Sequence, residues 1–181
     1  KGHSVDVITG LPYYPEWKIK KGYQGFSKEC NGNVTIYRSP LYVPAPNKVS
    51  LSTRVLLQTS FTFTSLKYWV SNFFSRQAYD VIIAICPPLQ TAVFPFFYRL
   101  LRKKPFIIHV QDLEFDAAIR LGIVNSNFFS YLFNSIEKFF LKKANRVSTI
   151  TPAMKRRIIE KGVTQRSTFL FPNWSDISFI Q

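Results

Sequence analysis

The chain has few acidic residues and few cysteines for its length. Of 181 residues only 10 are Asp or Glu, against 24 Lys or Arg, and the formal net charge is +14. The two cysteines, Cys30 and Cys86, lie far apart without metal-type spacing, so neither a disulfide framework nor a zinc site is indicated. This use of cysteine favours a reducing compartment. No uncharged apolar run reaches about 18 residues, so the sequence predicts no membrane-spanning helix.

Basic and aromatic residues are abundant instead. Aromatic residues make up 17% of the chain and include 18 Phe. Strongly basic proteins meet acidic partners, such as nucleic acid, an anionic membrane surface or a phosphorylated substrate. The basic residues are dispersed and no nucleic-acid-binding motif occurs, so no nucleic acid partner is expected. Aromatic segments 61–74 and 128–133 near Lys and Arg favour an anionic membrane surface. The alternative is that both segments are core helices that cover a sheet.

Apolar patterning predicts short strands that alternate with helices. Strands apolar on both faces, separated by helices, are typical of a parallel sheet covered on both sides. The predicted fold class is therefore α/β, a Rossmann-like doubly wound parallel sheet, and the length fits one domain. The predicted strands are 5–9, 34–38, 81–85, 106–110, 147–150 and 168–171. The predicted helices are 50–76, 89–102, 128–143 and 152–161, and residues 11–30 and 39–47 are predicted to be loops.

Three carboxylates follow the strand at 106–110, in a chain with only ten. In such a fold ligands bind beyond the carboxyl ends of the strands. Asp112 and Glu114 are therefore candidates to accept a proton from an attacking hydroxyl. His109, by strand alternation, shares a face with Ile107 and Gln111. The alternatives are that Asp112 or Glu114 caps the next helix and that His109 is a packed core residue.

The loop after the first predicted strand is rich in aromatic residues and proline. Tyr13, Tyr14, Glu16 and Trp17 lie in it, at the ligand end of the predicted sheet. Aromatic faces of this kind suit sugar rings and the apolar parts of lipids. An ordinary packed loop would also explain the composition.

Five segments in this order and spacing resemble family 4 glycosyltransferases, especially those of bacterial colanic-acid and capsule biosynthesis. Each segment by itself is a common pattern, and their order carries the resemblance. The five are Val5–Trp17, Ala84–Pro88, His109–Glu114, Ser148–Met154 and Phe171–Asp176.

The resemblance implies the GT-B fold, in which two Rossmann-like domains face each other across a cleft. Residues 1–172 would be the N-terminal, acceptor-side domain, and residues 173–181 would begin the interdomain linker. Lys1-Gly2-His3 is typical of the end of a helix, so the sequence is expected to be truncated at both ends. The first strand, loop and helix, and the C-terminal donor domain, are expected to lie outside it.

The resemblance also implies an activity. The parent protein would transfer a sugar from a nucleotide-sugar donor to a lipid-linked glycan acceptor, in bacterial surface polysaccharide biosynthesis. It would be a cytoplasmic, peripheral protein at the inner face of the plasma membrane. The donor is a substrate, and neither a cofactor nor a metal is implied. These 181 residues alone are expected to be inactive.

Site residues are implied in the same way. Asp112 would meet the acceptor hydroxyl, at a position where many relatives have His, with His109 and Glu114 in support. Pro87 and Pro88 would shape the acceptor pocket together with the four residues of the aromatic loop. Thr151 would lie near the cleft, at a helix N-terminus that favours a phosphate.

Two other functions fit the same residues. One is a sugar-nucleotide epimerase or hydrolase on the GT-B fold. The other is a catalytically incomplete module that binds a membrane or a partner. The product of the reaction distinguishes the first from a transferase, because only a transferase makes a glycosidic bond.

Overall fold

The chain forms two compact units. The computed structural model describes residues 2–113 and 127–174, and the units comprise residues 1–77 and 78–181.

The first unit contains a three-stranded sheet. Its strands are β1 (Val5–Gly10), β2 (Ser27–Asn31) and β3 (Val34–Ser39), in the order β1-β3-β2. β1 and β3 are parallel, whereas β2 runs antiparallel to β3. Between β2 and β3, Gly32 takes a positive φ of 57° that permits a tight turn. β2 lies where the sequence predicts a loop, because its polar residues show no apolar alternation.

One long helix, α1 (Leu51–Phe74), belongs to the same unit. It begins with a capping box, in which Ser50 Oγ accepts from the Thr53 amide and Thr53 Oγ1 accepts from the Ser50 amide. Its Tyr68 hydroxyl lies 3.1 Å and 3.0 Å from the carbonyl oxygens of Ser27 and Arg38. The helix is therefore tied to both β2 and β3, and the helix predicted at 50–76 is confirmed.

The second unit is a four-stranded parallel sheet with helices between its strands, in the order β4-β5-β6-β7. This confirms the predicted α/β class and the parallel sheet of a Rossmann-like domain. Its elements are β4 (Ile82–Cys86), α2 (Val93–Arg102), β5 (Phe106–Val110), α3 (Asn127–Lys143), β6 (Arg146–Thr149), α4 (Pro152–Glu160) and β7 (Thr168–Leu170).

The core of this unit lies on one face of the sheet. Ile108 and Val110 of β5 are buried there with Val147 of β6, Leu141 of α3 and Ile158 of α4. Burial of each such side chain contributes about 1.5–3 kcal/mol.

β4 differs from the sequence prediction on its other face. Its residues alternate between buried and exposed, and Ile83 and Ile85 are each 56% exposed. Within the described residues, β4 is therefore covered on one face and not on both.

α4 begins and ends where the sequence predicts. Thr151 Oγ1 accepts a hydrogen bond from the Met154 amide, and Pro152 occupies the first turn. At the other end Gly162 takes φ +96°, and the Val163 amide reaches the Ile158 carbonyl at 3.4 Å. This left-handed glycine closes the helix and turns the chain towards β7.

Candidate functional site

Four of the residues singled out in the sequence follow strands of the parallel sheet. Pro87 and Pro88 come directly after β4, Asp112 comes two residues after β5, and Thr151 comes two residues after β6. Parallel strands end at the same edge of a sheet, so this edge carries all four residues. It is the edge at which α/β sheets bind ligands.

A small cavity opens at this edge. Its volume is about 20 Å³, which is room for about one water molecule and far too little for a sugar ring. The cavity brings Pro87 and Asp112 together. It is lined by Cys86, Pro87, Leu89, Ile108, Val110, Asp112, Leu113, Glu137 and Leu141.

Asp112 lies at the exposed end of the cavity. Asp112 is exposed, and its Oδ1 accepts a hydrogen bond of 2.7 Å from the Leu113 amide. This contact restrains the side chain and leaves the carboxylate accessible to a substrate. The residues that a cap on a following helix would involve, beyond 113, lie outside the described residues.

His109 lies on the opposite face of β5 from the cavity. Ile108 and Val110 line the cavity, and alternation along the strand directs His109 to the other side. The ring is 8% exposed, its Nδ1 is 2.9 Å from Ser148 Oγ, and it meets the Phe171 ring edge-on at 5.8 Å. Burial lowers the pKa of His109, which keeps the imidazole neutral at pH 7. The structure therefore does not bring His109 and Asp112 into one pocket.

Glu114, the third carboxyl candidate, lies outside the described residues.

Thr151 has a structural role that is visible. Its hydroxyl is occupied as the N-cap of α4, where it accepts from the Met154 amide at 3.2 Å. The residue is exposed, and the first turn of α4 contains no acidic side chain. An anion could approach this helix N-terminus without electrostatic repulsion from that turn.

The aromatic loop belongs to the first unit. The rings of Tyr13 and Trp17 lie 5.7 Å apart, and the Arg54 guanidinium lies 5.5 Å from the Trp17 ring. The loop is closed by a hydrogen bond of 3.2 Å from the Lys18 amide to the Tyr13 carbonyl. Tyr14 and Glu16 point to solvent, and Tyr14 is 69% exposed. The loop therefore presents a restrained aromatic surface.

Sequence reasoning missed a buried ion pair beside the cavity. Glu137 of α3 contacts Lys161, the C-cap residue of α4, and both side chains are almost fully buried. A Glu among the aromatic residues of α3 is the signal that could have indicated it, since charged residues are rarely buried without a partner.

Cys86 also lies in the cavity wall. Burial raises the pKa of its thiol to about 11, and the nearby Glu137 adds to the effect. The thiol therefore stays protonated at physiological pH and is a poor nucleophile.

Within residues 2–113 and 127–174, no three His, Cys, Asp or Glu side chains are placed to share a metal ion.

Both α2 and α3 expose apolar side chains. Phe96 of α2 meets Phe139 and Phe140 of α3 edge-on, at 5.3 Å and 5.8 Å, which brings the two helices together. We use the name α2–α3 surface for a set of exposed apolar side chains on these two helices, namely Phe97, Leu100, Leu101, Leu132, Ile136 and Phe139. Lys103 and Lys143 are exposed at the C-terminal ends of the two helices.

None of the helices in the described ranges has both the length and the apolar character needed to cross a bilayer.

Two comparisons with known proteins indicate the family of the chain. A family model described as a glycosyl transferase 4-like domain matches residues 1–174. The chain is also 35% identical, over 190 aligned residues, to WcaI of Escherichia coli (strain K12), a proposed colanic acid biosynthesis glycosyl transferase. The alignment covers 100% of this chain and 44% of WcaI, so the chain spans less than half the length of that relative.

Proposed function

The chain belongs to the glycosyl transferase 4-like family, and from that membership we propose that it is the acceptor-side domain of a sugar-transferring enzyme. The observation that carries the proposal is the position of Asp112, an accessible carboxylate at the ligand edge of the parallel sheet. The substrates we propose are a nucleotide sugar and a lipid-linked glycan of a bacterial surface polysaccharide. The name of WcaI, which refers to colanic acid, supports this class of acceptor.

In this proposal Asp112 is the general base. Its carboxylate takes the proton of the acceptor hydroxyl as the hydroxyl oxygen bonds to the anomeric carbon of the donor sugar. The bond from that carbon to the nucleoside diphosphate breaks, and the diphosphate leaves with the electron pair. A base of this kind contributes roughly 10²–10⁴-fold to the rate. The hydrogen bond from the Leu113 amide supports the role, because it restrains the carboxylate while leaving it accessible.

The remaining site residues have supporting roles. Pro87 and Pro88 would shape the acceptor site, and Glu114 would assist Asp112. The aromatic loop of the first unit would bind substrate. The buried His109 would act through packing, since its ring faces Ser148 and Phe171. Thr151 would lie near the donor diphosphate, at the N-terminus of α4. The nucleotide sugar would bind mainly to a second domain outside these residues, and no further cofactor is proposed.

We also propose that the parent protein is cytoplasmic and associates peripherally with the inner face of the plasma membrane. The net charge of +14 and the α2–α3 surface support this. Aromatic and aliphatic side chains enter the interfacial region of a bilayer, while Lys and Arg meet anionic headgroups.

The test is Asp112→Asn in the full-length parent, with a nucleotide sugar and a lipid-linked acceptor. Turnover should fall about 10²–10⁴-fold with little change in donor binding, because Asn cannot take a proton. The matched control is Asp80→Asn, which removes an exposed carboxylate that lies 3.9 Å from Lys104. Full activity of Asp112→Asn would exclude Asp112 as the base. Free sugar or an epimer, in place of a glycosidic bond, would indicate the hydrolase or epimerase.

A further inference from the structure

The buried ion pair between α3 and α4 joins elements that are well separated in the chain. Glu137 is 5% exposed and Lys161 is 6% exposed. Lys161 Nζ contacts Glu137 Oε2 and lies 3.3 Å from Asn134 Oδ1, so α3 supplies two oxygens to one ammonium group. The pair fixes the end of α4 against α3.

Stability alone is a poor explanation for such a pair. Two charges lose their hydration on burial, and their mutual attraction only partly offsets this loss. Well-packed apolar residues of similar volume commonly stabilise a protein as well or better. A role for the charge itself would therefore depend on what Glu137 contacts.

Glu137 reaches the same cavity as Asp112. These two carboxylates are the charged residues of the cavity wall, and the other lining residues are apolar apart from the protonated Cys86 thiol. The volume of about 20 Å³ fits about one water molecule, which needs polar partners of the kind that a carboxylate supplies. Glu137 lies at the buried end and Asp112 at the exposed end.

We propose that Glu137 is a positioning residue for the catalytic segment at Asp112 and Leu113, acting through this cavity while Lys161 holds its carboxylate in place. The inference rests on the proposed role of Asp112. Glu137 does not touch a substrate. It provides a fixed oxygen in the wall of the cavity that Asp112 and Leu113 also line, and this keeps the segment that carries the base in position for the acceptor hydroxyl.

The experiment separates positioning from stability by replacing both charges in the full-length parent. Lys161→Met alone should lower the melting temperature, because it leaves a buried carboxylate without its cation. The double variant Glu137→Leu with Lys161→Met should recover the melting temperature, since no buried charge remains. It should nevertheless keep a kcat about 10–100-fold below that of the wild type, with donor KM unchanged, because misplaced catalytic groups cost about this much.

Rescue by a conservative variant provides a second measurement. Glu137→Gln with Lys161→Met is neutral and keeps an oxygen acceptor at the cavity, so it should recover most of kcat. Glu137→Asp, with Lys161 retained, keeps both charges but shortens the side chain by one methylene. It should lower kcat. This variant tests the inference even if the double variant Glu137→Leu with Lys161→Met does not fold.

The matched control is Glu160→Gln, which removes an exposed ion pair of 3.0 Å with Arg157 on α4. It should leave kcat and melting temperature unchanged. A wild-type kcat in the double variant Glu137→Leu with Lys161→Met, or in Glu137→Asp, would overturn this inference. If Asp112→Asn is inactive at the same time, the proposed base stands. Wild-type turnover in Asp112→Asn would overturn the proposed base, and this inference with it.

Discussion

Burial makes His109 a group that destabilises the folded protein as the pH falls. The ring is surrounded by Ser148 and Phe171, and burial lowers its pKa below the ordinary value of 6.5. The unfolded chain therefore binds a proton at a pH where the folded chain does not. The contribution of His109 to folding stability is fully present above the pKa that it has in the unfolded chain. This contribution is lost as the pH falls from about 6.5 towards the lower pKa of the folded protein.

His109→Gln should remove this part of the pH dependence. Glutamine keeps a polar group near Ser148 but does not titrate. The unfolding midpoint of the variant should therefore change less between pH 7.5 and pH 5.5 than that of the wild type. Denaturant unfolding at several pH values measures the difference. An NMR titration that placed the imidazole pKa of His109 at or above 6.5 would contradict the argument.

The two cysteines should react very differently with alkylating reagents. Cys30 is exposed, whereas Cys86 is buried and its pKa is raised to about 11. At pH 8 iodoacetamide should modify Cys30 and spare Cys86, because only an accessible thiolate attacks. Peptide mapping by mass spectrometry measures both sites in one sample, and rapid labelling of Cys86 in the native protein would show that the cavity wall opens.

Individual residues were predictable where chain position fixes their surroundings. Asp112 follows a parallel strand, and its place at the ligand edge follows from that alone. The pairing of Glu137 with Lys161 could not be predicted, because it depends on how α3 packs against the end of α4. The separation of His109 from Asp112 was partly predictable. Strand alternation places His109 on the same face as Ile107 and Gln111, whereas the cavity-lining residues Ile108 and Val110 lie on the other face.

At the scale of elements, apolar runs and caps carried most of the information. β4 and β5 were predictable because each is a short apolar run followed by a proline or a polar residue. β6, whose sequence Arg-Val-Ser-Thr is mostly polar, was predictable because it comes just before the capped helix α4. β2 was not, because its sequence Ser-Lys-Glu-Cys-Asn is polar. Its pairing depends on β3, where Arg38 Nε donates to Glu29 Oε1 across the two strands.

Gly162→Ala should destabilise the end of α4 mainly through the backbone. The glycine has φ +96°, which costs an L-residue roughly 1–2 kcal/mol. An added Cβ would lie 2.5 Å from Lys142 Cε, but this atom is near the far end of a flexible, exposed side chain that can move aside at little cost. Gly22→Ala is the control, because φ is +87° there and nothing lies within 4 Å of the added carbon. Chemical denaturation should show similar losses at the two glycines, and a much larger loss at Gly162 would contradict this argument.

At the scale of the whole molecule, charge is the most distinctive property. A net charge of +14 exceeds what helix ends require, although Arg99 and Lys143 do lie at the ends of α2 and α3. Such an excess produces attraction to any anionic surface, and the α2–α3 surface adds apolar side chains that could enter it.

The full-length parent should bind vesicles that contain anionic lipid and should bind neutral vesicles less. Each basic residue at the surface contributes about 1 kcal/mol, so binding should weaken as salt screens the field. Lys103→Glu with Lys143→Glu should release the protein, as measured by vesicle sedimentation. Lys20→Glu with Lys21→Glu makes the same change of net charge in the first unit and should release less. Equal release would show that net charge, and not the α2–α3 surface, determines binding.

The half-covered strand β4 has a consequence for how this polypeptide behaves in a cell. β4 is an edge strand of its sheet in the described part of the chain, and Ile83 and Ile85 expose their side chains beside that edge. An open edge next to aliphatic side chains is a template for another strand, including one from a second copy of the same molecule. In the crowded interior of a cell, this edge is therefore where self-association of the protein is expected to begin.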